Sequence, residues 1–244
     1  MGRFQSLKIN FHFIKLISEV KMELIAKGNS AEIYQQNENK ICKLFYKNCP
    51  KQLVEHEFNN AKIIYQLGIN TPFAYDIVFI EERYGIIYQK VNGTTLLSRN
   101  NTEKTKGDFG IENFVNFQKD FLKYQSDALI SYKDFLKLFA SESEDLIKKI
   151  DNLQNGNFVL HGDFHPENIL IDNKSNFILI DMMNVCKGPL LYDIARTYFL
   201  LGYNPIFQER YLSLMGYSME EIKPYLEVIS LVRENEISGK LNFA

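Results

Sequence analysis

Phe158 to Asp181 reads FVLHGDFHPENILIDNKSNFILID. Phe158-Val159-Leu160 is a short apolar run that stops at His161-Gly162-Asp163. Asn168-Ile169-Leu170-Ile171 and Phe177-Ile178-Leu179-Ile180 are two further runs, separated by the turn formers Asp172-Asn173-Lys174-Ser175, and together they predict a hairpin. His161, Asp163, Asn168 and Asp181 therefore fall where strands end and loops begin. Groups placed in this way suit phosphoryl transfer, in which a protein supplies positioning and charge compensation. Asp163 is the group to orient an acceptor hydroxyl and accept its proton, while the amide oxygen of Asn168 and the carboxylate of Asp181 are hard ligands of the kind magnesium takes. Taken singly, each is an ordinary turn residue, and His161 with His165 reads as a pair of loop residues or even as a metal pair. Their order and the flanking strands single them out.

The pattern His-x-Asp-x-x-x-x-Asn, followed by an apolar strand and Asp, resembles the aminoglycoside phosphotransferase and choline kinase family of the protein-kinase-like superfamily. The resemblance spans Ile25 to Ala195 and implies an α+β, two-lobed protein-kinase-like fold. A small N-terminal antiparallel-sheet lobe with one helix takes residues 1–91, with 1–21 as an extension, and a larger, mostly helical lobe takes residues 92–244. It implies an ATP- and Mg2+-dependent transfer of the γ-phosphate to a hydroxyl of a small molecule, with Asp163 as catalytic base and Asn168 and Asp181 on the metal. His161 resembles an orienting residue, not the base. Asp193, in the helix beginning Tyr192-Asp193-Ile194-Ala195-Arg196, resembles the aspartate that braces the family's catalytic loop from below.

Upstream, Leu24 to Lys43 reads as strand, loop, strand, turn, strand. The small-residue loop Gly28-Asn29-Ser30-Ala31 lets backbone N–H groups approach phosphate oxygens, which makes Asn29 and Ser30 nucleotide-binding candidates. In the third strand Ile41, Lys43 and Phe45 share one face, which sets a lysine among apolar neighbours. An ammonium there needs an anionic partner. The helix predicted over Gln52 to Leu67 offers Glu57, which falls inside the stripe of Val54, Phe58, Ala61 and Tyr65, with Leu53 and Ile64 on its flank; Glu55 falls outside. The pair matches the strand lysine and helix glutamate of kinase-like enzymes. Gly68 caps the helix and Pro72 prevents its continuation.

Phe73–Ile80 and Tyr84–Val91 read as strands joined by Glu81-Glu82-Arg83. By the resemblance, Gln89 to Val91 form the hinge whose backbone groups bind adenine. Ser98 to Lys106 is polar and reads as a loop. Asp108-Phe109-Gly110 spells a protein-kinase metal motif but precedes the catalytic stretch and follows no apolar strand, so it reads as a loop with a helix N-cap. Phe114, Phe117 and Phe121 make a helical stripe with Val115 and Leu122, and a further helix is predicted over Glu142 to Leu153. Tyr124-Gln125 stands where many family members carry histidines, and Met182-Met183 stands where choline kinases tend to place another acid. Tyr225, Val228, Ile229 and Val232 mark a helical stripe in the short segment after Asn204.

The chain has 244 residues, 45% of them hydrophobic and 24% charged, a globular mixture with ample core. A formal net charge of −2 gives no argument for nucleic acid or an acidic membrane surface. Asn10, His12 and Lys15 interrupt the one candidate signal core, and no apolar run reaches spanning length. Cys42, Cys49 and Cys186 form no CxxC and leave an odd thiol, which suits a reduced, cytoplasmic protein. Residues 1–20 read as an extra strand or helix packed on the first lobe, or as sequence ahead of a start at Met22. The partners expected are a nucleotide and a small-molecule acceptor. Two alternatives stay open: a protein kinase of the same superfamily, against which stands the lack of an APE signature after Asp181, and a non-catalytic nucleotide-binding module, against which stands the presence of all base and metal positions.

Overall fold

The computed structural model describes residues 15–16, 22–102, 110–140 and 143–237. Strands β1 (Lys15–Leu16), β2 (Glu23–Lys27), β3 (Ala31–Gln35) and β4 (Lys40–Phe45) come first, followed by helix α1 (Lys51–Gln66) and strands β5 (Ala74–Ile80) and β6 (Arg83–Gln89). They form one sheet in the order β1-β5-β6-β4-β3-β2, antiparallel except for β1, which runs parallel to β5. Beyond β1, the expected extension over residues 1–21 lies outside the described residues. The alternation predicted for β4 holds. Cys42 and Leu44 pack with Val78 and Ile87 on one face, while Phe45 joins the main core and Lys43 is buried on the same side.

Helix α1 starts one residue earlier than predicted, behind Pro50, and Gly68 reverses the chain after it at φ +80. Val54, Glu57, Phe58, Ala61 and Ile64 are buried as the stripe requires, but Tyr65 is exposed. Its ring packs edge-on against Phe73, which packs likewise on Tyr75, a surface aromatic row that offers it contact without burial. Asn60 takes the inward place, and its Nδ2 donates to the carbonyls of Met182 and Val185, each at 3.0 Å. The inner face of α1 is thus partly polar because it meets the chain just beyond Asp181. Asn60→Ala is expected to cost about 1–3 kcal/mol, the penalty of stranding buried acceptors. A urea-denaturation midpoint equal to the parent's would remove this clamp.

The β5–β6 connection is tighter than predicted. Glu81 and Glu82 alone make the turn, both left-handed at φ 48 and 60, and Arg83 already belongs to β6. Arg83 anchors it by donating to the carbonyls of Phe45 and Leu44 at 2.7 and 2.9 Å and to Glu32 at 2.8 Å.

In the second lobe, β7 (Gly93–Thr95) leads into α2 (Leu96–Thr102) and α3 (Ile111–Phe121). The loop expected from Ser98 is therefore helical as far as Thr102. Buried Leu96 anchors this first turn, and the Thr95 hydroxyl accepts the Ser98 amide at 3.1 Å. Residues 103–109, including Asp108 and Phe109 of the tripeptide, lie outside the described residues. Gly110 opens α3, whose Ile111, Phe114, Val115 and Phe121 are core.

Helix α4 (Tyr132–Lys137), unannounced by the sequence, precedes α5 (Glu144–Asn152), which starts later than predicted behind the Ser143 cap. Strand β8 (Phe158–Leu160) leads to the loop His161-Gly162-Asp163, and β9 (Ile169–Asp172) with β10 (Phe177–Leu179) form the predicted hairpin in the register Ile171↔Phe177. Asn168 and Ile180 flank these strands instead of joining them. Two pairings were not foreseen: β7 lies along β9, and β11 (Cys186–Gly188) along β8. Helices α6 (Leu190–Leu200), α7 (Pro205–Met215) and α8 (Met219–Ile237) complete the lobe, with Tyr225, Val228, Ile229 and Val232 buried as predicted. Among the described residues no helix is long and apolar enough to cross a membrane.

Candidate active site

The site forms where β4 and α1 of the first lobe meet the ends of β8 and β10. The Lys43 ammonium lies 2.8 and 2.9 Å from the two Glu57 carboxylate oxygens and 3.0 Å from Oδ1 of Asp181. Burial pushes the Lys43 pKa down, but the two carboxylates outweigh it and raise it, so the ammonium stays charged. Glu57 has no exposed surface and also accepts the Tyr88 hydroxyl at 2.9 Å. Glu55, excluded by its place on the helix, pairs with Lys51 on the surface.

Asp181 carries φ 66, a left-handed conformation that costs energy in a residue with a Cβ. Two contacts hold the chain there: the Ile180 amide donates to the Asn168 carbonyl at 3.0 Å, and the His161 Nε2–H donates to the Ile180 carbonyl at 3.1 Å. His161 Nδ1 in turn accepts the Asp163 amide at 3.3 Å. Burial lowers the His161 pKa, which suits the neutral tautomer these bonds need. His161 therefore ties the loop of Asp163 to the approach of Asp181 and leaves no nitrogen for a metal, which removes the reading of His161 and His165 as a metal pair.

Around Asp163, Asn168 Nδ2 donates to its Oδ2 at 3.0 Å and to its carbonyl at 2.9 Å, while His165 Nε2 stands 3.3 Å from Oδ2. Burial pushes the Asp163 carboxyl up; the His165 hydrogen bond and the neighbouring His165, Arg196 and His161 side chains together outweigh it and hold the group down at about 2. A carboxylate depressed from 3.8 to about 2 adds about 2 kcal/mol of stability above pH 4 and loses it as pH falls toward 2. The gap in unfolding free energy between the parent and Asp163→Asn is expected to narrow over that window. A gap constant from pH 5 to pH 2 would contradict the depressed pKa.

Asp193 lies beneath. Its Oδ1 accepts the Gly162 amide at 2.7 Å and its Oδ2 accepts from Gln118 at 3.0 Å, and Gln118 is bound in turn by the Tyr211 hydroxyl at 2.8 Å. Gly162 stands at φ +72, and a Cβ there would meet the Asn184 carbonyl oxygen at 2.5 Å. Helix α3 thus contributes a buried amide to the brace, which the apolar stripe did not flag.

The remaining nucleotide candidates lie at the edges of this arrangement. Asn29 and Ser30 are exposed in the β2–β3 loop, which the Tyr46 hydroxyl holds through the Gly28 carbonyl at 3.0 Å. The Gln89 amide is committed to the Phe73 carbonyl at 2.8 Å and the Lys90 amide to Asn39 at 2.9 Å, whereas Val91 makes no hydrogen bond among the described residues. Sequence reasoning missed Asn60, Arg196, Gln118 and Tyr88, which come from elements whose contact with the loop no local pattern encodes. It named His165 only as a loop residue or half of a metal pair, although standing two residues from Asp163 was a signal of its contact with that carboxylate. Tyr124 and Gln125, in place of the family's histidines, hold the end of α3 to β8: the Val159 amide donates to Tyr124 O at 2.9 Å, and Gln125 bridges to Phe158.

Asn168 keeps Oδ1 for a further partner, and the Asp181 side chain is about one-third exposed, so the pair offers hard oxygens to a cation. One amide and one carboxylate oxygen are donors of the hard kind that magnesium takes alongside phosphates.

A six-stranded lobe stacked on a helical one, with a lysine–glutamate pair reaching across to the aspartate after a hairpin, makes a protein-kinase-like fold. Within it, residues 115–225 match the model of the phosphotransferase enzyme family, which bears out the resemblance read from His161 to Asp181. The match begins in α3, so for the first lobe the likeness is one of fold. No curated protein matches. Among solved structures, a thermostable mutant of aminoglycoside phosphotransferase APH(4)-Ia in ternary complex with ADP and hygromycin B is 15% identical, with 90% of this chain and 88% of that chain covered at a TM-score of 0.63. An aminoglycoside-3'-phosphotransferase of type VIII is 13% identical over 86% and 93% at 0.63. Aminoglycoside phosphotransferase APH(3'')-Id from Streptomyces rimosus is 14% identical over 87% and 93% at 0.56.

Proposed function

We propose that the protein is an ATP- and Mg2+-dependent phosphotransferase that moves the γ-phosphate to a hydroxyl of a small molecule. The observation that carries this reading is the Lys43 ammonium shared between Glu57 of the first lobe and Asp181 of the second, beside the Asp163–Asn168 pair. In this reading residues 1–91 form the nucleotide lobe and residues 92–244 the catalytic and acceptor lobe. The family model, and neighbours solved with ADP or AMP-PNP, support the nucleotide half.

Lys43, held by Glu57, draws phosphate oxygens into the cleft, and the amides of Asn29 and Ser30 close over them. Val91, with unengaged backbone groups, takes the adenine edge; Gln89, whose amide is committed to Phe73, serves by keeping the hinge extended. Asn168 Oδ1 and Asp181 would hold the metal, which supplies charge neutralisation on the phosphates. Asp163 accepts a hydrogen bond from the acceptor hydroxyl, aligns its oxygen and takes its proton as the bond to the γ-phosphorus forms and the bond from that phosphorus to the bridging oxygen breaks, releasing ADP. A base held near 2 is weak, so orientation outweighs early proton abstraction. His161 and Asp193 keep the loop in place. The free thiols Cys42, Cys49 and Cys186 suit a reducing cytoplasm.

The test is ADP release by purified protein over antibiotic, sugar, amino alcohol and nucleoside-like alcohols, with magnesium and with EDTA. Acceptor-dependent ADP release abolished by EDTA supports the proposal. Failure to bind ATP at millimolar concentration with magnesium would overturn it.

A further inference from the structure

Asp193 and Arg196 stand three residues apart on α6 and grip opposite ends of one residue. Asp193 accepts the Gly162 amide at 2.7 Å, and Arg196 Nε donates to the Gly162 carbonyl at 3.1 Å. The Arg196 side chain is nine-tenths buried, and its guanidinium lies near the Phe199 ring at 5.9 Å and places Nη2 3.9 Å from Oδ1 of Asp163. The other oxygen of Asp163, Oδ2, is occupied by Asn168 and His165. Oδ1 is therefore the oxygen left for an acceptor hydroxyl, and Arg196 faces it from the protein side.

We propose that Arg196 is a positioning residue that sets the direction of the Asp163 carboxylate by fixing the peptide before it and opposing its Oδ1; this rests on the phosphotransferase reading. Three features distinguish it from packing. A burial-only role asks for an apolar or amphipathic stem, whereas here the guanidinium fork itself is aimed at the Gly162 carbonyl and the Asp163 carboxylate. Gly162 is left-handed and cannot carry a side chain to steady itself, so its peptide depends on donors and acceptors brought to it. Moreover, α6 reaches both groups by its own geometry, since positions three apart share a helix face. A carboxylate free to rotate by about an ångström loses alignment with the acceptor, an error of the kind that costs about 100-fold in rate.

The experiment compares the parent with Arg196→Gln and Arg196→Lys. Lys keeps the charge without the fork geometry and guards against a fold defect in the Gln variant. The expected result is a kcat lowered at least 10-fold in Arg196→Gln, KM for ATP within two-fold of the parent's, and part of the rate restored in Arg196→Lys. A crystal structure of Arg196→Gln is expected to show Oδ1 of Asp163 displaced while Asn168 and Asp181 stay in place. An unmoved Asp163, or equal kcat in all three proteins, overturns the proposal, as does a loss falling on the KM for ATP instead of kcat. The crystallographic comparison needs no acceptor, so a parent without turnover counts against the phosphotransferase reading while Arg196 is still judged on its own.

Discussion

Asp163→Asn is expected to lower kcat for ADP release by about 10²–10⁴-fold, the range for loss of a positioned acid–base group. The substitution changes one oxygen to an amide of the same shape. Asp163 contacts neither Lys43 nor Glu57, so ATP affinity measured by calorimetry should stay within a few-fold of the parent's. That division between a lost rate and a kept affinity is the informative part. If Asp163→Asn retained the parental rate with a turned-over acceptor, the base would have to be sought elsewhere; if it lost ATP binding as well, the carboxylate would be part of the nucleotide site.

The second large effect is on stability. Lys43→Met leaves the Glu57 carboxylate fully buried with only the Tyr88 hydroxyl as donor, because Lys43 supplies both of its charge-assisted contacts. Breaking a buried pair from one side costs about 3–5 kcal/mol, whereas replacing both partners with apolar groups is often close to neutral. Lys43→Met is thus expected to lower Tm by about 10 °C in a chain of this size. The double variant Lys43→Met/Glu57→Leu should recover most of that loss, and neither should bind ATP tightly. The single variant should also gain on the parent as pH falls, since protonation relieves an unpaired buried carboxylate. A single variant as stable as the parent at pH 7 would mean that the pair is solvated in solution, against the burial of both side chains.

The parts of this site that were legible in the sequence share a cause. His161, Asp163, Asn168 and Asp181 lie within one stretch where strand, turn and hairpin succeed one another, so local periodicity places each polar group at a strand end. Lys43 and Glu57 were legible for a related reason: a lysine on the inner face of a strand and a glutamate inside a helix stripe each need a partner, and periodicity turns both of them inward. Asn60, Gln118 and Arg196 escaped because each reads as a polar residue on an amphipathic helix, with nothing local to say that its face meets a loop instead of water. Tyr65 erred the opposite way, since an aromatic at helical spacing finds enough contact in a surface row with Phe73 and Tyr75. Helix α2 was lost to composition: its polar residues suggested a loop, while a buried Leu96 and the Thr95 cap suffice for the turns observed.

Periodicity and turn chemistry, which act over a few residues, by themselves placed His161, Asp163, Asn168 and Asp181 at strand ends and turned Lys43 and Glu57 inward, while the two lobes followed from the resemblance those residues carry. Tertiary structure alone decided that Asp181 reaches Lys43, that Asn60 fastens the first lobe to the chain beyond Asp181, and that α6 holds Gly162 from both ends. Those contacts join residues distant in sequence, and for such pairs the burial of an unsatisfied donor or charge, not any local preference, selects the partner.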